Sequence, residues 1–386
     1  MRPQGQPSVR KRVRARFGVL TRCAREGIIC ENLGEGDGLV AAVTLKDVAE
    51  RAGVSIKTVS NVVRGIPRVS EATRSRVARA VDELGYRPNP SARRLRTGRS
   101  GLVALVVPDL ATPYFAELAH HVRAEATSLG LTVLIEESLG DAAEELRLAG
   151  GVGASLLDGV ILSPLRATPD ELAGVTDDFP LVLLGERSYG RDRVVADHVL
   201  IDNVAAARDI TSHLIGLGRT RIAAIGVDHQ GSATSRQRLE GHQQALHAAG
   251  LPFDPGLAPR VKEFDRRNGL LAMRALASLP AGERPDAVFC FSDLLAVGAQ
   301  RALHEAGLAV PGDVAVAGID GSQEALYSTP SLTTVVPDKA AIASLAVKCL
   351  AARIRSRTPL PFEVHVAPHW LEERESTLGA RRAVRP

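Results

Sequence analysis

From residue 101 onward, short apolar runs rich in β-branched residues alternate with amphipathic stretches. The runs predict strands at Leu102–Val107, Thr132–Glu136, Gly159–Leu162, Leu181–Leu184, Arg221–Gly226, Ala287–Phe291 and Val314–Gly318. The amphipathic stretches predict helices over Tyr114–Leu129, Val204–Leu217, Arg236–Ala249, Asn268–Leu279 and Leu294–Ala306. Strands that are apolar on both faces and separated by helices mean parallel sheet built from βαβ units. The body is long enough for two such halves, and ligands in open α/β sheets bind beyond the carboxyl ends of the strands.

The head of the chain has a different period. Thr44 can cap a helix whose first turn holds Asp47, and Leu45, Val48, Ala49 and Ala52 repeat at helical spacing. Gly53 supplies a tight turn, and Ser55 can cap a second helix with Val59, Val62 and Val63 as its apolar stripe. Ile56, Lys57, Ser60, Asn61 and Arg64 fall on the opposite face. Two short helices joined by a glycine turn make a helix-turn-helix candidate, whose second helix would enter the major groove of DNA. A third helix is expected from a Ser70 cap through Val77, Val81 and Leu84, ending at Gly85.

Between Tyr86 and Arg99 lie five arginines and no acid. Asn89 can cap a short helix there, with Pro90 at its first position and Gly98 at its end. Two turns are marginal alone in water, so this helix is expected to form on DNA. Leu95, isolated among arginines, fits either an apolar wedge driven between base steps in the minor groove or a linker residue packed on the body. Residues 1–43 show no periodicity and read as a basic, disordered extension. Because organised sequence begins at Val43-Thr44, a natural start near Val40 or Val43 is the alternative to such a tail.

Charge sharpens this division. The 386 residues carry a formal net charge of +4. Residues 44–100 hold 13 basic and 5 acidic side chains, whereas residues 101–386 hold 27 and 35. A small basic head on an acidic body points to nucleic acid as the partner of the head. No apolar run is long enough to span a bilayer, so a membrane partner is not expected. Four scattered cysteines do not form a disulfide framework and suit a reducing, cytoplasmic compartment.

In the body, Tyr114 and Phe115 follow a strand and open a helix, where flat rings can stack on a sugar or base or simply pack in the core. Arg238 can form bidentate hydrogen bonds to a polar metabolite or an internal ion pair. Asp293 and Asp320 each end a strand and can accept from hydroxyls, while Asp293 is also placed to cap a helix.

The sequence resembles the lactose-repressor (LacI-type) family of bacterial transcription regulators. The resemblance is carried in the head by Val43 to Ala49, Ala52-Gly53-Val54-Ser55, Thr58-Val59-Ser60, Gly85 to Asn89 and Ala92-Arg93-Arg94-Leu95. In the body it is carried by Pro108-Asp109, Pro113-Tyr114-Phe115, Arg238 to Gly241, Ser292 to Gly298, Val310 to Val314, Gly318-Ile319-Asp320 and Arg374 to Thr377. It implies an α/β protein: a helix-turn-helix head, a hinge helix, and a two-subdomain, periplasmic-binding-protein-like body with parallel sheets. The implied divisions are a 1–43 extension, a 44–88 DNA-binding domain, an 89–100 hinge, a 101–378 effector-binding and dimerisation domain, and a 379–386 tail. The subdomains should be joined by crossovers near 200–203, 330–337 and 362–364.

The resemblance further implies a homodimer on a palindromic operator in double-stranded DNA. Ser55, Ile56, Lys57, Thr58, Ser60 and Asn61 would lie at the major groove, and Ala92, Arg93, Arg94 and Leu95 at the minor groove. Tyr114, Phe115, Arg238, Asp293 and Asp320 would bind a small polar effector, a carbohydrate or carbohydrate derivative by the family's habit. Thr112, Ser292, Glu186-Arg187 and Pro337 depart from the common family residues around the pocket, so no known member's effector carries over.

Other motifs are weak. Gly151-Val152-Gly153 lacks a preceding strand and a third glycine, so no nucleotide cofactor is expected. His365 and His369 are separated by Pro368, which argues against a zinc pair. There is no Gly-x-Ser-x-Gly elbow to organise a hydrolase, so an enzyme is not expected. The residues after Leu378 lack leucine heptads for a coiled coil. A sugar-binding module of the transport type is the rival reading, and the head argues against it.

Overall fold

The computed structural model describes residues 43–63, 67, 69–86, 99–151, 156–174, 179–185, 194–229, 232–356 and 358–379. Arg64, Glu186-Arg187 and the hinge residues Ala92, Arg93, Arg94 and Leu95 lie outside them. The chain forms two compact units, one within residues 1–89 and one within 90–386.

The first unit is a three-helix head: α1 (Leu45–Ala52), α2 (Ile56–Val63) and α3 (Glu71–Leu84). A capping box closes the start of α1: Thr44 Oγ1 accepts from the Asp47 N–H, and the Asp47 carboxylate accepts from the Thr44 N–H. Gly53 then takes φ +63°, the left-handed conformation that lets α2 turn away sharply. Val48, Ala49, Ala52, Val59, Val77 and Ala80 form the small core.

Two details differ from the sequence reading. On α2, Ser60 is buried and Val63 is exposed. The packed sector is centred on Val59 and admits the small Ser60 beside it, while Val63, one turn on, lies at the helix end beyond the core. At the start of α3, the Ser70 hydroxyl donates to Thr73 Oγ1 at 2.9 Å and makes no bond to the helix backbone.

The second unit holds two sheets. Sheet one comprises β1 (Leu102–Val107), β2 (Thr132–Glu137), β3 (Gly159–Leu162), β4 (Leu181–Leu184), β5 (Asp197–Ile201) and, near the chain's end, β12 (Val364–Ala367). Its order is β12-β5-β4-β3-β1-β2, and all neighbours are parallel. Helix α4 (Pro113–Ser128) packs on one face, and α5 (Ala142–Ala149) and α6 (Pro169–Ala173) cover the other.

Sheet two comprises β6 (Ile222–Ile225), β9 (Ala287–Cys290), β10 (Ala315–Ile319), β11 (Thr333–Pro337) and β13 (His369–Glu372), in the order β13-β11-β10-β9-β6. Only β13 is antiparallel to its neighbour within this sheet. Helices α7 (Asn203–Gly216), α8 (Ala233–Ala248), α9 (Arg266–Ala277) and α10 (Asp293–Glu305) share its core. A short parallel pair, β7 (Val227–Asp228) and β8 (Arg260–Val261), extends the β6 end. The contact between α9 and α10 needs glycine on both sides. A Cβ at Gly269 would stand 2.1 Å from the Leu295 carbonyl oxygen, and one at Gly298 would stand 2.0 Å from that of Arg266.

The chain passes between the sheets three times. The first passage runs from Ile201 into Asn203, as expected. The second lies between Pro337 and Lys339, at the end of the expected range, and leads into α12 (Lys339–Arg355), which packs with α4 on sheet one. The third is at Pro368, between β12 and β13, and not at 362–364. Residues 364–367 first complete a strand beside β5 before the chain crosses. The last two passages are tied together, because the Asp338 N–H donates to the Pro368 carbonyl at 3.0 Å. Short α11 (Gln323–Tyr327) and α13 (Glu375–Leu378) complete the unit. No described helix is long and apolar enough to cross a membrane.

Candidate functional site

In the head, Ser55 ends the turn and its Oγ accepts the Thr58 N–H at 3.1 Å, which fixes the first turn of α2. This cap leaves Ile56 49% exposed and Lys57 exposed beside it, with Thr58 and Asn61 partly buried. An isoleucine so exposed at a helix start has lost its burial energy, and a neighbouring cation gives the same surface a positive charge. Ser60 faces the core side of the helix and does not belong to this surface.

In the second unit, a cavity of about 560 Å³ lies where the carboxyl ends of both sheets meet. On the sheet-one side, β1 delivers Pro108 and Asp109, and α4 opens with Tyr114 and Phe115. Their rings meet edge to face, with centroids 5.2 Å apart and planes at 78°. The loop after β3 contributes Ser163 to Arg166. That loop is shaped by Glu145 of α5, whose fully buried carboxylate accepts the N–H groups of Leu165, Arg166 and Ala167 at 2.8, 3.0 and 2.7 Å.

On the sheet-two side, Arg238 reaches the cavity from α8. It is buried, with Nε donating to Asn203 Oδ1 at 2.7 Å and Nη1 donating to the Phe291 carbonyl. These bonds hold its guanidinium in one plane at the cavity wall. Asp320 sits at the end of β10 with φ 139°, a backbone conformation rare for a non-glycine residue. Burial pushes its carboxyl up to about 7, and the nearby Asp293 charge adds to the rise; Arg238 and Lys339 oppose it.

Asp293 does not line the cavity, which corrects the sequence expectation. Its carboxylate turns inward and is satisfied there: Oδ1 accepts from Thr334 Oγ1 at 2.6 Å, and Oδ2 accepts from the Ser322 N–H and Oγ at 2.8 and 2.9 Å. Only its backbone reaches toward the cavity, where the Asp293 N–H donates to Asp320 Oδ2 at 3.3 Å. The helix cap is Ser292, whose Oγ accepts from the Leu295 N–H at 3.2 Å. Of the five expected pocket residues, the structure therefore brings together Tyr114, Phe115, Arg238 and Asp320. The departures Thr112, Ser292 and Pro337 also face the cavity.

Sequence reasoning missed several stretches of wall: Ser163 to Arg166 after β3, Asp228 at the end of β7 with Ser232 and Thr234 beyond it, and the run from Lys262 to Arg266 after β8. The usable signal was the rule that ligands sit beyond strand carboxyl ends, but strands of two residues leave no periodicity to read.

The two units define a DNA-binding head attached to a ligand-binding body of the periplasmic-binding-protein type. Comparison with known proteins agrees. Residues 44–89 match the profile for bacterial regulatory proteins of the lacI family, and residues 211–377 match that of a periplasmic binding protein-like domain. The chain is 36% identical over 334 residues to the HTH-type transcriptional regulator CelR of Thermobifida fusca, covering 85% of this chain and 96% of that one. A solved structure of a CelR–cellobiose complex superposes with a TM-score of 0.64 at 35% identity, covering 86% of this chain and 99% of that one. The lac repressor dimer bound to operator and the anti-inducer ONPF superposes with a TM-score of 0.74 at 26% identity, covering 87% and 99%. The chain belongs to the lacI family of bacterial regulatory proteins, and it is a DNA-binding transcription regulator.

Proposed function

We infer that this regulator is a repressor whose hold on a palindromic operator is set by a neutral carbohydrate of about disaccharide size. The observation that carries the ligand class is the balance of the cavity wall. Acidic Asp109, Asp228, Glu263, Asp265 and Asp320 share the wall with basic Arg166, Arg238, Lys262 and Arg266, beside the rings of Tyr114, Phe115 and Phe264. Such a wall offers hydrogen bonds of both senses and flat apolar faces without a net field for an anion. A volume of about 560 Å³ is in the range of small-molecule pockets. The relative solved with cellobiose supports the same size class.

Two copies would present Ser55, Ile56, Lys57, Thr58 and Asn61 to successive major grooves, with residues 92–95 in the minor groove between them. The working divisions are a head over 44–88, a hinge over 89–100 and an effector and dimerisation body over 101–378. The protein acts by binding and not by catalysis. Of the neighbouring carboxylates Asp293 and Asp320, Asp293 is spent on Ser322 and Thr334. A regulator of this kind would meet its operator in the cytoplasm.

A thermal-shift screen tests the ligand class. Cellobiose and other neutral disaccharides should raise Tm, and sugar phosphates and nucleobases should not. Stabilisation by a sugar phosphate or nucleobase alone would overturn it. A gel shift on the DNA upstream of the protein's own coding region tests the repressor reading, and no retarded band at low salt would refute it.

A further inference from the structure

Beside the cavity, an ion pair on the sheet-one subdomain is hydrogen-bonded to the other subdomain. Glu117 lies on α4 of the sheet-one subdomain, and Lys339 opens α12 directly after the second passage. Their side chains pair at 2.8 Å, with Lys339 only 7% exposed. Both also reach the other subdomain. Lys339 Nζ donates to the Gly321 carbonyl at 2.9 Å, and Glu117 Oε1 accepts the Gln323 N–H at 3.1 Å.

The segment that receives them is rigid. Gly321 has φ +59°, and a Cβ there would meet Val336 at 2.6 Å. The Gly321 N–H donates to Thr334 Oγ1 at 3.3 Å, and the preceding Asp320 N–H donates to the Val335 carbonyl at 3.0 Å. Each end of the contact touches a cavity residue. The Lys339 ammonium stands 5.7 Å from the Tyr114 ring centroid, and Gly321 is the residue after Asp320. A ligand that stacks on Tyr114 and bonds Asp320 presses on both ends at once.

We propose that Glu117 and Lys339 form a clasp that couples occupancy of the cavity to the spacing of the two subdomains. This rests on the reading of the cavity as the effector site. The physical reason for coupling is that two bonds cross between the subdomains at one point and are lost together when they part. Separation would strip the buried Lys339 ammonium of the Gly321 carbonyl and the Gln323 N–H of its carboxylate acceptor, while the Glu117–Lys339 pair stays on the sheet-one side.

The first test needs no effector. Lys339→Met leaves Glu117 in place as acceptor, so amide hydrogen exchange is measured on the peptide containing Gln323. Faster exchange there than in wild type shows that the contacts act as one unit, and unchanged exchange overturns the clasp. The second test measures operator affinity with and without cellobiose for Glu117→Gln, Lys339→Met and the double variant. The ratio should fall about fivefold or more in each, by the same amount in the double variant, with affinity in the absence of cellobiose within about twofold of wild type. An undiminished ratio in the single variants, or additive losses, overturns the coupling. If cellobiose fails to stabilise even the wild type, the effector reading fails, and the exchange result still decides the clasp.

Discussion

Asp293 and Asp320 share one hydrogen bond and divide two tasks. The Asp293 N–H holds Asp320 Oδ2 at 3.3 Å, while the Asp293 carboxylate faces inward to Ser322 and Thr334. The fit is close on that side: a Cβ at Gly318 would stand 2.5 Å from Asp293 Oδ1. One acid thus fixes the backbone from behind, and the other presents its oxygen to the cavity.

This arrangement predicts a pH signature. Asp320 has its carboxyl raised to about 7, chiefly by burial. An acid raised in the native state keeps its proton there while the unfolded chain has already released it. Between pH ~4 and ~7 the native state therefore binds more protons, and its stability falls as pH rises through that window. Asp320→Asn removes the buried charge. Its Tm should exceed that of wild type at pH 8, and the difference should shrink at pH 5. Thermal denaturation at the two pH values checks this, and a larger gain at pH 5 would contradict it.

Glu145 gives a prediction about the opposite wall. Its carboxylate accepts three backbone N–H groups from residues 165–167. In Glu145→Gln one acceptor oxygen becomes an NH₂ group facing those donors. Leaving a buried donor unsatisfied costs about 1–3 kcal/mol. Urea denaturation should show a loss of that size, and ligand affinity should fall because Ser163 to Arg166 line the cavity. Wild-type stability in this variant would mean that the loop holds its shape without the carboxylate.

Arg238→Ala separates ligand response from DNA binding. The arginine is tied to Asn203 and the Phe291 carbonyl and faces the cavity, and it belongs to the second unit. The variant should retain measurable operator binding in a gel shift and lose its response to ligand. Loss of operator binding alone, with ligand stabilisation intact, would place Arg238 outside the effector site.

The parts of the fold legible in the sequence are those where one kind of residue fills an element. Strands β1, β3 and β4 have the expected ends because each is an unbroken apolar run. Strands β5 and β11 went unseen because they carry Asp197, His198, Thr333 and Thr334. These polar groups have partners far along the chain: Asp197 forms a bidentate pair with Arg353 at 2.5 Å, and Thr334 bonds Asp293. The same holds at the site. Tyr114, Phe115 and Asp320 could be named from their positions at element ends, and Arg238, inside α8, from the Arg238 to Gly241 stretch that carries the family resemblance. The inward turn of Asp293 depends on Ser322 and Thr334, 29 and 41 residues further along the chain.

The last prediction concerns how DNA is read. Ile56 and Lys57 are exposed on the first turn of α2, and Ser60 is buried. Lys57→Ala should weaken operator binding in a way that reveals its contact. Loss of a base contact costs about 1–3 kcal/mol and relaxes specificity at one position. Loss of a phosphate contact weakens all sequences alike and lowers the salt slope by about 1. Ile56→Ala should weaken operator binding and leave non-specific binding nearly unchanged, because an apolar side chain gains little from phosphates. Leu95→Ala should show the same asymmetry if residues 92–95 enter the minor groove, since a wedge acts only where the site can kink. Titrations on operator and on unrelated duplex at two salt concentrations separate these outcomes. Equal losses on both duplexes for Ile56→Ala would remove it from the reading surface.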